Sequence, residues 1–194
     1  SDAAASSLWS LAFAANFHFQ SSVGGYFDAA ADARPMLHLW SLAVEEQFYL
    51  IYPWLLSGLL AWFPQAPARR LALLAVASFL LSEYWVNIEP GLAFYQMPAR
   101  FWELAAGGLV ALSPAAAGPR QLNRWWLPAG LALVAAASLY TSRWGPFPGK
   151  SALVVVGGTA LALLAIHRGA VTGLCAGLLR TKVLVGLGLV SYSL

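Results

Sequence analysis

The stretch RPMLHLWSLAVEEQFYLIYPWLL, residues 34–56, concentrates polar side chains that could do chemistry in a chain otherwise rich in Ala, Leu, Val and Gly. Glu45 and Glu46 stand where an apolar run begins, and burying a carboxylate in lipid costs several kcal/mol unless it is paired. We therefore treat both glutamates as candidate functional residues. The alternative is that they sit in headgroup water, with the nearby aromatic residues forming an interfacial belt.

On a helix, this stretch presents one polar face. At about 100° per residue, an imidazole, a hydroxyl, a carboxylate and two phenols fall within about 60° of one line. These residues are His38, Ser41, Glu45, Tyr49 and Tyr52. Glu46 lies beside the face, about 80° from His38, and Gln47 points the opposite way. Pro53 is expected to interrupt the backbone hydrogen bonds one turn later.

A second stretch, FYQMPARFWELAAGG, carries an arginine and a glutamate at the start of another apolar segment. Arg100 and Glu103 are three residues apart and can pair with each other on a helix. Either residue could instead pair across helices with Glu45, Glu46 or His38. Such a pair could orient a polar substrate or only hold two helices together, and the sequence leaves both roles open.

The composition predicts a membrane protein. Of the 194 residues, 60% are hydrophobic and only 10% are charged, which is too few to cover a soluble globule. The net charge of +3 is scattered and forms no basic patch, so we expect no nucleic-acid partner. Cys175 is the single cysteine, and the three histidines are dispersed along the chain. We therefore expect no internal disulfide and no metal site.

The fold predicted from the apolar segments is an all-α, polytopic transmembrane helix bundle with about six to seven spans. The candidate spans are 3–19, 39–63, 71–86, 100–112, 125–140, 151–166 and a segment that begins near residue 183. We expect the small residues of AAGGLVA to let helices approach closely. The chain begins with Ser and its last residues, GLGLVSYSL, form part of an apolar run. We therefore expect residues 1–194 to be one partial membrane domain that lacks N-terminal helices and the final C-terminal helix or helices.

The basic residues predict an orientation in the membrane. Alternate breaks between spans hold seven basic residues at 69–70, 120–124 and 168–182, and the other breaks hold four at 34, 100 and 143–150. Because cytoplasmic loops are enriched in Lys and Arg, the first set is predicted to be cytoplasmic. The regions 34–49, 95–103 and 143–150 are then expected together on the extracytoplasmic side.

The motifs resemble those of a known family. LHLWSLAVEEQFYLIYP closely resembles the signature of the acyltransferase-3 family of integral membrane proteins. FYQMPARFWELAAGG resembles a second motif of that family, and ANFHFQSSVGGYF and GLVSYSL are similar to two further segments in the same order. The positions that match are His38, Trp40, Ser41, Glu45, Glu46, Gln47, Tyr49, Tyr95, Arg100, Trp102, Glu103, Ser191 and Tyr192.

The resemblance implies an enzyme that moves an acyl group, commonly acetyl, from acyl-CoA to hydroxyls of a cell-surface or lipid-linked carbohydrate. Acyl-CoA would be the donor substrate, and the bilayer and the carbohydrate would be the partners. The location would be a bacterial inner membrane, and acceptors would include lipopolysaccharide and peptidoglycan. For catalysis the resemblance suggests His38, Glu45, Glu46, Arg100 and Glu103. For substrate binding it suggests Trp40, Ser41, Gln47, Tyr49, Tyr95, Trp102 and Tyr192.

The chain departs from the family pattern at a few points. Leu39 stands where the family often has Thr. The family's catalytic histidine is expected upstream of residue 1, and a further histidine beyond residue 194, so the fragment is not expected to be active alone. Glu45 or Glu46 would orient that base or the acceptor, and His38 is a secondary candidate base. The main alternative is a transporter or flippase component whose carboxylates line a polar path, and a structural membrane module is a third.

Overall fold

The computed structural model describes residues 2–23, 36–114, 125–140, 147–169 and 177–191. Within these ranges the regular secondary structure is helical, as predicted. The helices are α1 Asp2–Leu11, α2 Ala15–Val23, α3 Leu39–Trp62, α4 Pro67–Ile88, α5 Pro90–Tyr95, α6 Met97–Ala111, α7 Trp126–Tyr140, α8 Gly149–His167 and α9 Lys182–Val190. The chain divides into two compact units, Ser1–Leu112 with Thr141–Leu153 and Ser113–Tyr140 with Val154–Leu194.

The predicted span 3–19 is wrong as a single helix. The structure has two short helices, α1 and α2, separated at residues 12–14. Phe13 lies there with a φ of 51°, in the left-handed region where a helix cannot continue. The Phe13 carbonyl accepts a hydrogen bond from Gln47 Nε2 at 2.9 Å. The turn is therefore held by a side chain from α3, which an apolar pattern cannot reveal.

The other predicted segments match helices to within a few residues. Segments 39–63, 125–140 and 151–166 correspond to α3, α7 and α8, while α4 and α6 begin earlier than expected, at Pro67 and Met97. A proline stands in the first turn of both α4 and α6, where its missing N–H costs nothing. Of the described helices, α4 and α8 are long and apolar enough to cross a membrane, which supports a membrane protein. The number of spans stays a prediction.

In the first unit, the start of α6 is fastened to α4 by one hydroxyl. Ser78 Oγ donates to the Pro98 carbonyl at 2.6 Å and accepts from the Trp102 N–H at 3.1 Å. These two backbone groups are four residues apart on α6, so the Ser78 hydroxyl is hydrogen-bonded to both ends of one helical turn. At the other end of the helix, the Tyr52 side chain lies so close to Gly108 that a Cβ there would collide with it. Gly108 thus makes room for the Tyr52 side chain, and the close approach of helices predicted from AAGGLVA stays a prediction.

In the second unit, α7 and α8 pack through small residues. A Cβ built on Gly130 would lie 2.5 Å from the Gly158 carbonyl and 2.8 Å from the Ala162 nitrogen. Leu127, Ala162 and Ala165 form a buried apolar cluster beside this contact. Apolar helices in lipid usually associate through such close backbone contacts. Lipid is as apolar as their side chains, so the hydrophobic effect does not drive the helices together and packing must do so.

Candidate active site

A cavity of about 160 Å³ lies between α3 and the first turns of α6. It is lined by Trp40, Ser41, Val44, Glu45, Arg100, Glu103 and Leu104. The two sequence stretches singled out for their polar residues therefore meet at one place, although more than 50 residues separate them. The cavity combines two carboxylates, a guanidinium and a hydroxyl with an indole wall.

Arg100 and Glu103 form an ion pair one turn apart on α6. Arg100 Nη2 lies 2.7 Å from Glu103 Oε2, and Arg100 Nε lies 3.2 Å from the same oxygen. Only 18% and 15% of the two side chains are exposed, so water screens the pair weakly. Of the partners left open by the sequence, Glu103 is the one that holds Arg100. No described residue accepts a hydrogen bond from Arg100 Nη1.

Aromatic rings surround the guanidinium of Arg100. Its Cζ lies 5.1 Å from the ring centre of Trp40, 5.8 Å from that of Phe94 and 6.0 Å from that of Phe147. Rings at these distances attract a cation and restrict its side chain. Trp40, Arg100 and Phe147 belong to the three stretches predicted to lie on one side of the membrane, and the structure brings them together. Which side they face stays a prediction, and Arg34 and Arg143 of these stretches lie outside the described residues.

The two adjacent glutamates are placed differently. Glu45 lines the cavity with Arg100, while Glu46 is not among the lining residues. Both side chains are partly exposed. The carboxylate of Glu45 faces the same cavity as Arg100 and is attracted by its charge, but it forms no ion pair with a described residue. Of the two glutamates, Glu45 is therefore the one positioned to meet a ligand in the cavity.

Some residues of the predicted polar stretch line the cavity and others do not. Trp40 is buried against Phe94, with ring centres 4.6 Å apart, and forms one wall. Ser41 lines the cavity and its hydroxyl donates to the His38 carbonyl at 3.2 Å. The His38 side chain is exposed just before α3, and Tyr49 is 53% exposed, so neither is among the lining residues.

Gln47, Tyr95 and Trp102 support the helices around the cavity rather than line it. Gln47 Nε2 donates to Asn16 Oδ1 at 2.9 Å, and Asn16 Nδ2 donates to the Tyr95 carbonyl at 3.1 Å. Trp102 is buried with its ring 5.1 Å from that of Phe79 on α4. Of the other matched positions, Ser191 is exposed after α9 and Tyr192 lies outside the described residues.

Several residues that shape the site were not predicted as site residues, although Asn16 and Phe94 lie in two of the family-like stretches. Asn16 and Ser78 are buried polar residues on α2 and α4, and Phe94 and Leu104 contribute apolar surface around the cavity. A signal for the first two existed, since a polar residue inside an apolar helix usually bonds to a neighbouring helix. Among the described residues, no group of three or more His, Cys, Asp and Glu could hold a metal ion.

Relatives of the chain were found among curated proteins. The chain is 34% identical to an uncharacterized protein of Haemophilus influenzae over 53% of its own length and 44% of the relative. It is 33% identical to a protein of Komagataeibacter xylinus, provisionally named a membrane-bound transacylase (BcsY), over 72% of its own length and 35% of the relative. It is 35% identical to the peptidoglycan O-acetyltransferase OatA of Listeria monocytogenes over 44% of its own length and 14% of the relative.

Two of these three relatives are named as acyl-transferring proteins. The chain spans less than half the length of each of the three. No protein-family model matches the chain. No solved structure matches it either. The homology to O-acetyltransferases agrees with the resemblance seen in the motifs, and the transporter alternative gains no support from the names of the relatives.

Proposed function

We propose that the protein is a membrane-bound O-acyltransferase. It transfers an acyl group, most simply acetyl, from acyl-CoA to hydroxyls of a cell-surface or lipid-linked carbohydrate. The observation that carries this proposal is the convergence of both acyltransferase-like stretches on one cavity, with Glu45, Arg100 and Glu103 on its walls. The names of the relatives support acyl transfer, and two helices long enough to cross a bilayer support a membrane location.

The cavity residues suit the two demands of acyl transfer to an alcohol. A hydroxyl must lose its proton as it attacks, and the oxygen of the attacked carbonyl must be stabilised as it gains charge. In our proposal Glu45 accepts a hydrogen bond from the acceptor hydroxyl or orients the base that removes its proton. Arg100, aligned by Glu103 and by the surrounding rings, donates to polar oxygens of the ligand.

Several parts of the proposal follow from the resemblance to the family. The principal base is proposed to be a histidine outside residues 1–194, and His38 is a secondary candidate. The identity of acyl-CoA as donor, an inner bacterial membrane as location and an extracytoplasmic position of the cavity are likewise proposals. Lipopolysaccharide and peptidoglycan are both suitable acceptors, because each presents sugar hydroxyls.

The test is a transfer assay in membranes that contain the whole protein. Membranes are incubated with acetyl-CoA labelled in the acetyl group, and the label in carbohydrate is measured after mild alkali, which releases O-acetyl esters. We expect Glu45→Gln to lower transfer by about 10- to 100-fold, because the substitution removes the charge on the cavity wall. The exposed Glu89, at the end of α4, supplies the control Glu89→Gln, which should transfer normally.

Two results would contradict the proposal. One is the absence of acyl transfer by abundant wild-type protein with any of the glycan acceptors tried. The other is wild-type transfer by Glu45→Gln at equal membrane abundance, which would remove this cavity from the reaction. Translocation of a substrate without acylation would instead favour the transporter alternative.

A further inference from the structure

Asn16, the second residue of α2, is the most completely buried polar link between the walls of the cavity. Its side chain is 0% exposed. Its Nδ2 donates to the Tyr95 carbonyl at 3.1 Å, and its Oδ1 accepts from Gln47 Nε2 at 2.9 Å. One amide thus joins α2 to α3 and to the end of α5, and both ends of the amide have a partner.

The orientation of both amides is determined by backbone carbonyls. A carbonyl oxygen can only accept, so the nitrogen of Asn16 must face Tyr95. Likewise, Gln47 Nε2 also donates to the Phe13 carbonyl at 2.9 Å, so its nitrogen must point toward α2. The oxygen of Asn16 is then left to accept from Gln47. Flipping either amide would set two acceptors against each other, and for Asn16 this would happen at a buried position.

The two partners of Asn16 flank the residues that line the cavity. Gln47 follows Glu45 by two positions on α3 and points away from the cavity, so it can be held without obstructing a ligand. Tyr95 is the last residue of α5, and Gln96 alone separates α5 from α6, which carries Arg100. A short chain of hydrogen bonds therefore runs from α3, which carries Glu45, to the end of α5, one residue before the helix that carries Arg100.

We propose that Asn16 is a positioning residue, which sets the spacing between Glu45 on α3 and Arg100 on α6 through its hydrogen bonds to Gln47 and to the Tyr95 carbonyl. This inference rests on the proposed function for its catalytic consequence. Asn16 touches no ligand; it acts through the two helices that do. Because a shift of about 1 Å in reacting groups can cost about 100-fold in rate, a small change in this spacing has a large expected effect.

The kinetic test uses Asn16→Asp in membranes that contain the whole protein. The aspartate keeps an oxygen for Gln47 but sets a carboxylate oxygen against the Tyr95 carbonyl. We expect kcat to fall by about tenfold or more with KM for acetyl-CoA within about twofold. The matched control is Asn87→Asp, since Asn87 is exposed and its amide donates only along α4, to the Glu83 carbonyl at 2.6 Å. The control should keep both constants.

Two variants that keep an amide provide a second test. Asn16→Gln and Gln47→Asn each change the length of one side chain in the link, so the hydrogen bonds to Tyr95 and Phe13 no longer fit, and each variant should lower kcat. Wild-type kcat in Asn16→Asp, or wild-type kcat in both amide variants, would overturn the proposal.

A cross-linking measurement keeps the inference separate from the proposed function. Ser41→Cys and Leu104→Cys, both on the cavity wall, are combined with Cys175→Ser and treated with a short bifunctional thiol reagent. Adding Asn16→Asp should change the cross-linking rate by about threefold or more, whereas Asn87→Asp should leave it unchanged. An unchanged rate with Asn16→Asp contradicts the positioning role whether or not the protein transfers acyl groups. If Asn16→Asp changes the cross-linking rate but the wild-type protein shows no acyl transfer, the positioning role of Asn16 is supported and the proposed function is rejected.

Discussion

The two compact units of the chain are stabilised internally by different kinds of contact. In the first unit, α3 and α6 meet around an ion pair and a cavity, and buried amides and a hydroxyl fasten the surrounding helices. In the second, α7 and α8 approach through Gly130, Gly158 and Ala162, with apolar neighbours. Directional polar contacts hold side chains at set distances, which a reaction needs, whereas close backbone packing gives only cohesion. In our proposal, the first unit therefore carries the chemistry and the second contributes packing.

The largest effect on acyl transfer, and the strongest test of the contrast between the two units, is expected at Arg100. Arg100→Ala leaves Glu103, 15% exposed, without its ion-pair partner and removes the guanidinium from the cavity. We expect acyl transfer to fall by more than about 100-fold. Arg100→Lys should recover only part of the activity, because an ammonium cannot make the two-nitrogen contact with Glu103. The measurement is transfer per molecule of membrane-inserted protein.

Arg69→Ala serves as the control for Arg100, since Arg69 is exposed near the start of α4. Transfer by this variant should equal that of the wild type. Equal losses in the two arginine variants would mean that the effect comes from total charge rather than from the cavity.

The second unit should respond through stability instead. In Gly130→Ala the new Cβ meets backbone atoms of α8 that cannot move aside, so the free energy of unfolding should fall by about 1–3 kcal/mol. Gly157→Ala is the matched control on α8, because a Cβ there has no atom within 4 Å. It should be neutral or raise stability by up to about 1 kcal/mol, since alanine favours a helix over glycine.

The stability of both glycine variants is measured as the midpoint of thermal unfolding in detergent. Transfer per folded molecule should be unchanged in each. If Gly130→Ala lowered kcat at full stability, the second unit would have a catalytic role and the contrast between the units would fail.

A smaller effect on stability is expected at Glu83, which belongs to the first unit but lies away from the cavity lining. Its carboxylate accepts a hydrogen bond from the Lys150 N–H in the first turn of α8. An acceptor with negative charge is favourable at a helix N-terminus, so Glu83→Ala should lower stability by about 0.5–1 kcal/mol. Transfer activity should persist at the wild-type rate. The unfolding midpoint relative to that of the wild type provides the measurement.

The smallest effect is expected at Tyr49. The resemblance suggests it as a substrate-binding residue, but its side chain is 53% exposed and does not line the cavity. Tyr49→Phe should change transfer by less than about twofold, as surface substitutions usually do. A larger rise in KM for the carbohydrate acceptor would show that substrate contacts extend along α3 beyond the cavity.

Some features of the structure could be predicted from the sequence, and contacts between distant residues could not. The helical character of the chain and most segment positions followed from apolar length and from proline and glycine breaks. The direction of Gln47, opposite to the His38 line, also followed from helical spacing. Its partner did not, because Asn16 is 31 residues away in the chain. The single span 3–19 failed for the same reason, since Gln47 holds the turn at Phe13 from another helix.

What the sequence alone determined is local: helices set by composition, one polar face on α3, and the possibility that Arg100 pairs with Glu103 three residues later. Tertiary structure decided the rest. It selected Glu103 rather than Glu45 as the partner of Arg100, set Glu45 and not Glu46 on the cavity wall, and joined Asn16 to a carbonyl 79 residues away. Spacing within a helix follows from about 3.6 residues per turn, whereas contacts between helices depend on how whole faces pack.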